Sequence, residues 1–158
     1  MRIIDGYNVI GAAGDFGLAL SLPDKEDRLL RLLSSFRSRR RSRQAMLVVF
    51  DGHYGRLATG PRRYSQLGIE VEWSLGESAD AVIERKVRSA ARPREIEVVT
   101  SDEQVLRAVL SHGAKGVRSQ EFLAELSLVF VDEPAAEKPD KPSPDEVAEW
   151  LDIFKDGR

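Results

Sequence analysis

Five consecutive apolar residues, Met46-Leu47-Val48-Val49-Phe50, restrict the fold of this chain more than any other stretch. A strand with one wet face alternates apolar and polar side chains. An unbroken apolar run of this length marks a strand covered on both faces, and covering both faces of a sheet takes helices on each side. The rest of the chain supplies them. Asp24 stands at a cap position with Asp27 three residues on, and Leu29, Leu30, Leu32, Leu33 and Phe36 give a helix running to about Arg41 an apolar face. Ser78 caps a second helix through about Ala91, with Ala79, Val82, Ile83, Val87 and Ala90 on one side and Pro93 as its stop. Residues 104–112 and 120–126 make two shorter helices, the first ended by Gly113. Between these lie strands at 69–73 and 96–100, a short edge strand at 115–118, and a first strand at Ile3–Ile4 that is expected to run into a loop. Residues 53–68, with Gly55, Gly60, Pro61 and Gly68, read as a loop carrying Arg56, Arg62 and Arg63. The alternation predicts an α/β sandwich of three layers around a mainly parallel sheet.

Length and composition narrow the class. The 158 residues are enough for one domain with a sizeable core, and 42% hydrophobic content excludes a disordered or collagen-like chain. No apolar run approaches the roughly 18 residues that a membrane helix needs. Asp5 comes too early for a signal peptide, and with no cysteine there are no disulfides or thiolate metal sites. A cytoplasmic protein with oxygen ligands is the expectation. The net charge of −2 conceals an asymmetry: residues 37–94 hold 13 Lys and Arg against 6 Asp and Glu, while residues 121–158 hold 4 against 11. A basic middle suits a phosphate-backbone partner and an acidic end does not. The Pro- and Lys-rich stretch at 132–144 reads as a linker. Ser143-Pro144-Asp145-Glu146 then forms a capping box, followed by Val147, Trp150, Leu151 and Phe154 on one stripe of a helix too short to stand alone.

In a parallel α/β sheet ligands bind beyond the carboxyl ends of the strands. Asp5, with Asn8 close by, follows the first strand and Asp51 the second. Gly76-Glu77-Ser78-Ala79-Asp80 follows the third, and Thr100-Ser101-Asp102 the fourth. Carboxylates gathered in one cleft repel unless a cation neutralises them, and a set of Asp and Asn oxygens suits Mg²⁺ or Mn²⁺. Such ions serve phosphodiester hydrolysis. Any single Asp of the four could instead cap a helix or form a turn. Ser101 reads as a cap or turn residue rather than a nucleophile, since neither His53 nor His112 is placed as its base, and neither histidine reads as a metal ligand. The run Arg37-Ser38-Arg39-Arg40-Arg41-Ser42-Arg43 is equally a solvated helix end or an RNA contact. Arg62 and Arg63 beside Tyr64 combine charge with a stacking surface, and Arg85 and Arg88 follow Asp80 on its helix. Gly6 and Gly11 lack the spacing of a dinucleotide fingerprint.

With these residues assembled, Ile4-Asp5-Gly6-Tyr7-Asn8-Val9-Ile10-Gly11 resembles the opening motif of the NYN-domain nucleases, in their YacP-like branch. Val49-Phe50-Asp51-Gly52, Gly76 to Asp80 with Ile83-Glu84-Arg85, and Val99-Thr100-Ser101-Asp102 resemble that branch's later motifs in the same order. The resemblance implies a PIN-like, Rossmann-like three-layer sandwich over residues 1–128, followed by a linker at 129–142 and an amphipathic helix at 143–158 outside the core pattern. It implies a metal-dependent endoribonuclease. Asp5, Asp80 and Asp102 then match the metal site for Mg²⁺ or Mn²⁺, Asn8 the residue that orients it, and Asp51 an acidic position nearer the rim. Ser101, Arg39, Arg40, Arg62, Arg63, Arg85 and Arg88 become the candidate substrate contacts. The partners expected are RNA, free or on the ribosome, no membrane, and a second copy of the chain; the terminal segment could cover the sheet, join a dimer or engage a partner. Two alternatives remain at this stage: a module that binds RNA or a ribonucleoprotein without cutting it, and a phosphohydrolase acting on DNA or nucleotides.

Overall fold

The apolar run forms β2 (Met46–Phe50), all five residues buried, near the middle of a six-stranded sheet. Beside it lies β1 (Arg2–Asp5), and outward from these are β4 (Ile69–Trp73), β3 (Arg63–Gln66), β5 (Glu97–Val99) and β6 (Lys115–Val117), in the order β3-β4-β2-β1-β5-β6. All neighbours pair in parallel except β3 with β4. This α/β architecture is the one expected, described here by a computed structural model over residues 1–52 and 62–131. The first part of the anticipated 53–68 loop, with His53 and Arg56, lies outside the described residues, as do the anticipated linker from 132 onward and the 143–158 helix.

Among the described residues five α-helices cover the sheet: α1 (Gly6–Ala12), α2 (Lys25–Arg39), α3 (Ala79–Ser89), α4 (Glu103–Ser111) and α5 (Ser119–Val131). Because side chains of a strand alternate between faces, Ile4, Val48, Phe50, Val71 and Val99 meet α1, α2 and α5 on one side. Ile3, Leu47, Val49 and Val98 meet α3 and α4 on the other. Among the described residues no helix is long and apolar enough to cross a membrane.

Three expectations need correction. The first strand does not lead into a loop: α1 begins at Gly6, and Val9 and Ile10 are its fully buried face. A side chain at position 6 would run into the Phe50 ring, so glycine is what lets the turn from β1 into α1 sit directly on β2. The second correction concerns residues 63–68, expected as loop. They make the edge strand β3 and a tight hairpin into β4, through Leu67 (φ 55) and Gly68 (φ 76). Positive φ at both central residues is what a type I′ hairpin turn requires. Additionally, α5 continues to Val131, past the expected linker start at 129.

The chain leaves β1 for α1 on one face, while the adjacent β5 leads to α4 on the other. Neighbouring strands whose connections diverge in this way open a crevice at their carboxyl ends.

Candidate active site

Asp5 closes β1 at that crevice and is 8% exposed. Its Oδ2 accepts a hydrogen bond from the Thr100 hydroxyl at the end of β5 (3.0 Å), and the same hydroxyl oxygen accepts from the Asp102 backbone N–H (3.2 Å). Thr100 is itself fully buried, so it ties the ends of two neighbouring strands together inside the protein. Burial pushes the Asp5 carboxyl up to about 6. The Thr100 hydroxyl and the Asn8 backbone amide oppose that rise, while the charges of Asp80 and Asp102 add to it.

Asp102 is the N-cap of α4: its Oδ1 accepts from the backbone N–H groups of Gln104 (2.9 Å) and Val105 (3.2 Å). Asp80 lies in the first turn of α3, whose cap is Ser78, accepting from the Ala81 N–H. Partial burial raises the Asp80 carboxyl pKa, with Asp102 and Asp51 adding their charge. The four acids that the sequence places at successive strand ends therefore share one electrostatic field. Aligned peptide dipoles at the starts of α1, α3 and α4 lend partial positive charge to this edge, which favours anions there.

Asn8 holds the crevice closed on its α5 side. Its Oδ1 accepts from the Ser101 backbone N–H (2.8 Å) and from the buried Ser119 hydroxyl (2.7 Å). Ser101 Oγ in turn donates to Gln120 Oε1 (2.6 Å) and accepts from the Ser119 N–H (3.1 Å). Both residues thus fix the loop that carries Asp102. For Ser101 this differs from the expected substrate contact: its hydroxyl is committed within the protein on both sides.

The arginines divide between the two edges of the sheet. Arg62 donates to the Trp73 carbonyl (3.1 Å) and to Glu77 (3.2 Å), and Arg85 chelates the same Glu77 carboxylate (2.5 and 2.6 Å). These contacts lower the Glu77 pKa, Arg85 foremost, and leave a net positive Arg62–Glu77–Arg85 bridge at the carboxyl edge, three residues before Asp80. Arg63 starts β3 at that edge and approaches Glu70 at 3.9 Å, with both side chains about half exposed. Arg88 lies in the last turn of α3, exposed and with no ion pair among the described residues. Eight residues of helix set it about 12 Å along the axis from Asp80, too far to share one phosphate with it. Arg39 and Arg40 stand apart from this cluster. They end α2 immediately before β2 begins, at the amino edge, separated from the carboxylates by the length of a strand, about 15 Å. Arg40 pairs with Glu125, which also binds Arg2, and Arg39 lies over the Phe130 ring at 4.8 Å.

Thr100, Ser119 and Gln120 escaped the sequence reading. Thr100 carried a signal, a hydroxyl at a strand end one residue before the Ser-Asp pair; Ser119 and Gln120 carried none, because only the packing of α5 brings them to Asn8.

The donor set suits a hard divalent cation. It consists of carboxylate oxygens, one of them buried, where a nearby cation would favour the ionised form. Asp102 keeps one oxygen outside its cap bonds, and Asp80 makes no hydrogen bond or ion pair among the described residues. A finished cage is absent among those residues: no three acidic or imidazole groups converge closely enough to ligate one ion as they stand.

The sequence profile of the YacP-like NYN domain matches residues 2–149. Two crystal structures of Rae1 (YacP) from Bacillus subtilis share the fold. One is 24% identical, covers 99% of this chain and 91% of the other, and superposes with a TM-score of 0.66. The other, of the W164L mutant, is 25% identical, covers 82% and 76% respectively, and has a TM-score of 0.63. No curated protein matches the chain.

Proposed function

Because the chain belongs to the family of YacP-like NYN domains, whose members are nucleases, we propose that it is a metal-dependent endoribonuclease working at the carboxyl edge of its sheet. One observation carries the metal in this reading: Asp5 is buried against the charges of Asp80 and Asp102, with its carboxyl held up to about 6. A carboxylate that is difficult to ionise alone becomes favourable to ionise beside a cation.

Asp5, Asp80 and Asp102 would hold Mg²⁺ or Mn²⁺. When bound, such a cation neutralises charge building on a phosphate oxygen and makes water a better nucleophile. The chain's own residues prepare for that chemistry. Thr100 fixes the Asp5 rotamer, and Asn8 and Ser101 fix the loop before α4. Arg62 and Arg85, cross-linked through Glu77, grip the RNA backbone beside Asp80, and Arg63 continues that grip along β3. Asp51, beyond β2, adds negative charge near Asp80 that strengthens cation binding.

The test is incubation of mixed-sequence RNA with wild type and with Asp80→Asn, each in Mn²⁺ and in EDTA. Cleavage is expected only for wild type with Mn²⁺, leaving internal fragments. Equal cleavage by Asp80→Asn, or cleavage in EDTA, overturns the proposal.

A further inference from the structure

At the amino edge, α2 ends in a Schellman motif. The Arg41 N–H donates to the Ser38 carbonyl and the Ser42 N–H to the Arg37 carbonyl. The motif puts Arg41 at the position after the helix where the left-handed conformation is needed and glycine is favoured. Arg41 adopts it, with φ 49. The other non-glycine residue with positive φ among the described residues is Leu67, in the β3–β4 turn. The two face one another across a single groove of about 220 Å³, lined also by Arg37 and by the hydroxyl-bearing Ser34, Ser38 and Ser42. Two strained backbone positions therefore shape one basic, hydroxyl-rich depression.

The charges around α2's end are not equivalent. Arg40 is neutralised by Glu125 and Arg39 lies over Phe130, so both serve the packing of α5. Arg37 donates one hydrogen bond to the Gly68 carbonyl, and neither it nor Arg41 has a carboxylate partner among the described residues. Ser34 donates to the Leu67 carbonyl and Ser42 accepts from the Gln44 N–H, which leaves the exposed Ser38 hydroxyl without a partner among those residues. Two unneutralised guanidinium groups, a spare hydroxyl and an apolar wall from the half-exposed Leu67 suit a phosphodiester with a base beside it. From this groove the edge strand β3 runs to Arg63 and Arg62 at the carboxyl edge, with Ser65 and Arg63 facing solvent. Its four residues cover about 14 Å.

We propose that this groove is a second RNA site, which holds a phosphate of a single-stranded substrate away from the bond being cut while the strand follows the outer edge of β3. This rests on the ribonuclease reading for its substrate and adds a length requirement that the carboxylates alone do not impose. Short RNA occupies only the carboxyl edge; longer RNA engages both edges.

Binding of fluorescent single-stranded RNA by the full chain in EDTA tests the groove apart from cleavage. Arg41→Gly removes the guanidinium and relaxes the backbone, so its melting temperature is expected to hold or rise. Its affinity for a long oligonucleotide should fall about tenfold, as expected when a charge-assisted hydrogen bond is lost. The slope of log affinity against log salt should drop by about 0.7, the value for one single-strand phosphate contact. Affinity for a short oligonucleotide should not change. Ser38→Asp, which places an anion in the groove, should do the same, and Arg41→Lys should restore much of the binding. Unchanged long-RNA binding in both folded variants overturns the proposal, as does an equal loss on short and long RNA. Competition by polyglutamate as effective as by RNA overturns it too, because the groove would then read carboxylates. Cleavage of short RNA in Mn²⁺ is measured in parallel. If no RNA is cut but the length-dependent loss is present, the nuclease reading fails and the groove stands.

Discussion

Replacing Asp5 by Asn should make the metal-free protein more stable, by an amount that depends on pH in a calculable way. In the unfolded chain the carboxyl titrates near 3.8; in the fold burial pushes it up to about 6. A tenfold change in proton affinity is worth about 1.4 kcal/mol, so ionised Asp5 opposes folding by about 3 kcal/mol relative to an unperturbed group. The folded state holds its proton more tightly than the unfolded state. The protonated group's contribution is therefore complete below pH 3.8 and is lost as pH rises through about 6. Asn is neutral throughout, has nearly the same shape, and its amide oxygen still accepts from Thr100. At pH 8 in EDTA, Asp5→Asn should gain up to about 3 kcal/mol, less whatever the charge-assisted bond from Thr100 contributes. That gain corresponds to a rise of about 5–10 °C in melting temperature for a chain of this size. At pH 4 the difference should fall to near zero. Mn²⁺ at a hundredfold over its dissociation constant should stabilise wild type alone, by about 2.7 kcal/mol, and close the gap at pH 8. Urea unfolding at the two pH values, with and without Mn²⁺, measures all of this. A variant less stable than wild type at pH 8, or a difference indifferent to pH, refutes the account of Asp5.

Two further substitutions probe the scaffold. Asn8→Ala removes the acceptor shared by the Ser101 N–H and the Ser119 hydroxyl and leaves both donors under-satisfied, which should cost about 2–3 kcal/mol in urea unfolding; a loss below about 0.5 kcal/mol would show that the network is not what holds the loop. Gly52→Ala would drive a methyl group into the Ser74 carbonyl, so the backbone between β2 and Asp51's neighbours must shift, at a cost of about 1–3 kcal/mol; unchanged stability would mean that this approach is not needed for folding.

The strand buried on both faces was legible because burial dictates its composition, and residues 69–73 because their apolar and polar side chains alternate. Residues 46–50 and 69–73 form strands with the expected bounds, and α2 and α3 carry apolar faces long enough to show a period. The elements that escaped are those whose stabilisation comes from elsewhere. The seven residues of α1 span barely two turns and contain two glycines, so local preference argues against a helix; burial of Val9 and Ile10 overrides it. In β3, Arg63, Tyr64, Ser65 and Gln66 offer no apolar alternation, because an edge strand needs only one neighbour and a turn. Which edge of the sheet the arginines near position 40 occupy was not legible, for a geometric reason. Charge clustering along the chain is blind to which end of a strand the cluster occupies.

The candidate site exposes a different weakness in reading acids from sequence, namely the supposition that an Asp after a strand either caps a helix or serves a ligand. Asp102 caps α4 with one oxygen, and the other remains outside those bonds. Capping fixes the rotamer, and a fixed rotamer lowers the entropy lost when a cation or phosphate arrives. Asp5 follows the same logic through Thr100, and the Asp102 backbone N–H is bonded to that same hydroxyl. Structural hydrogen bonds at these strand ends are therefore no argument against chemistry there. They hold the acidic groups in place at the crevice, and the repulsion stored among them is what a cation would relieve.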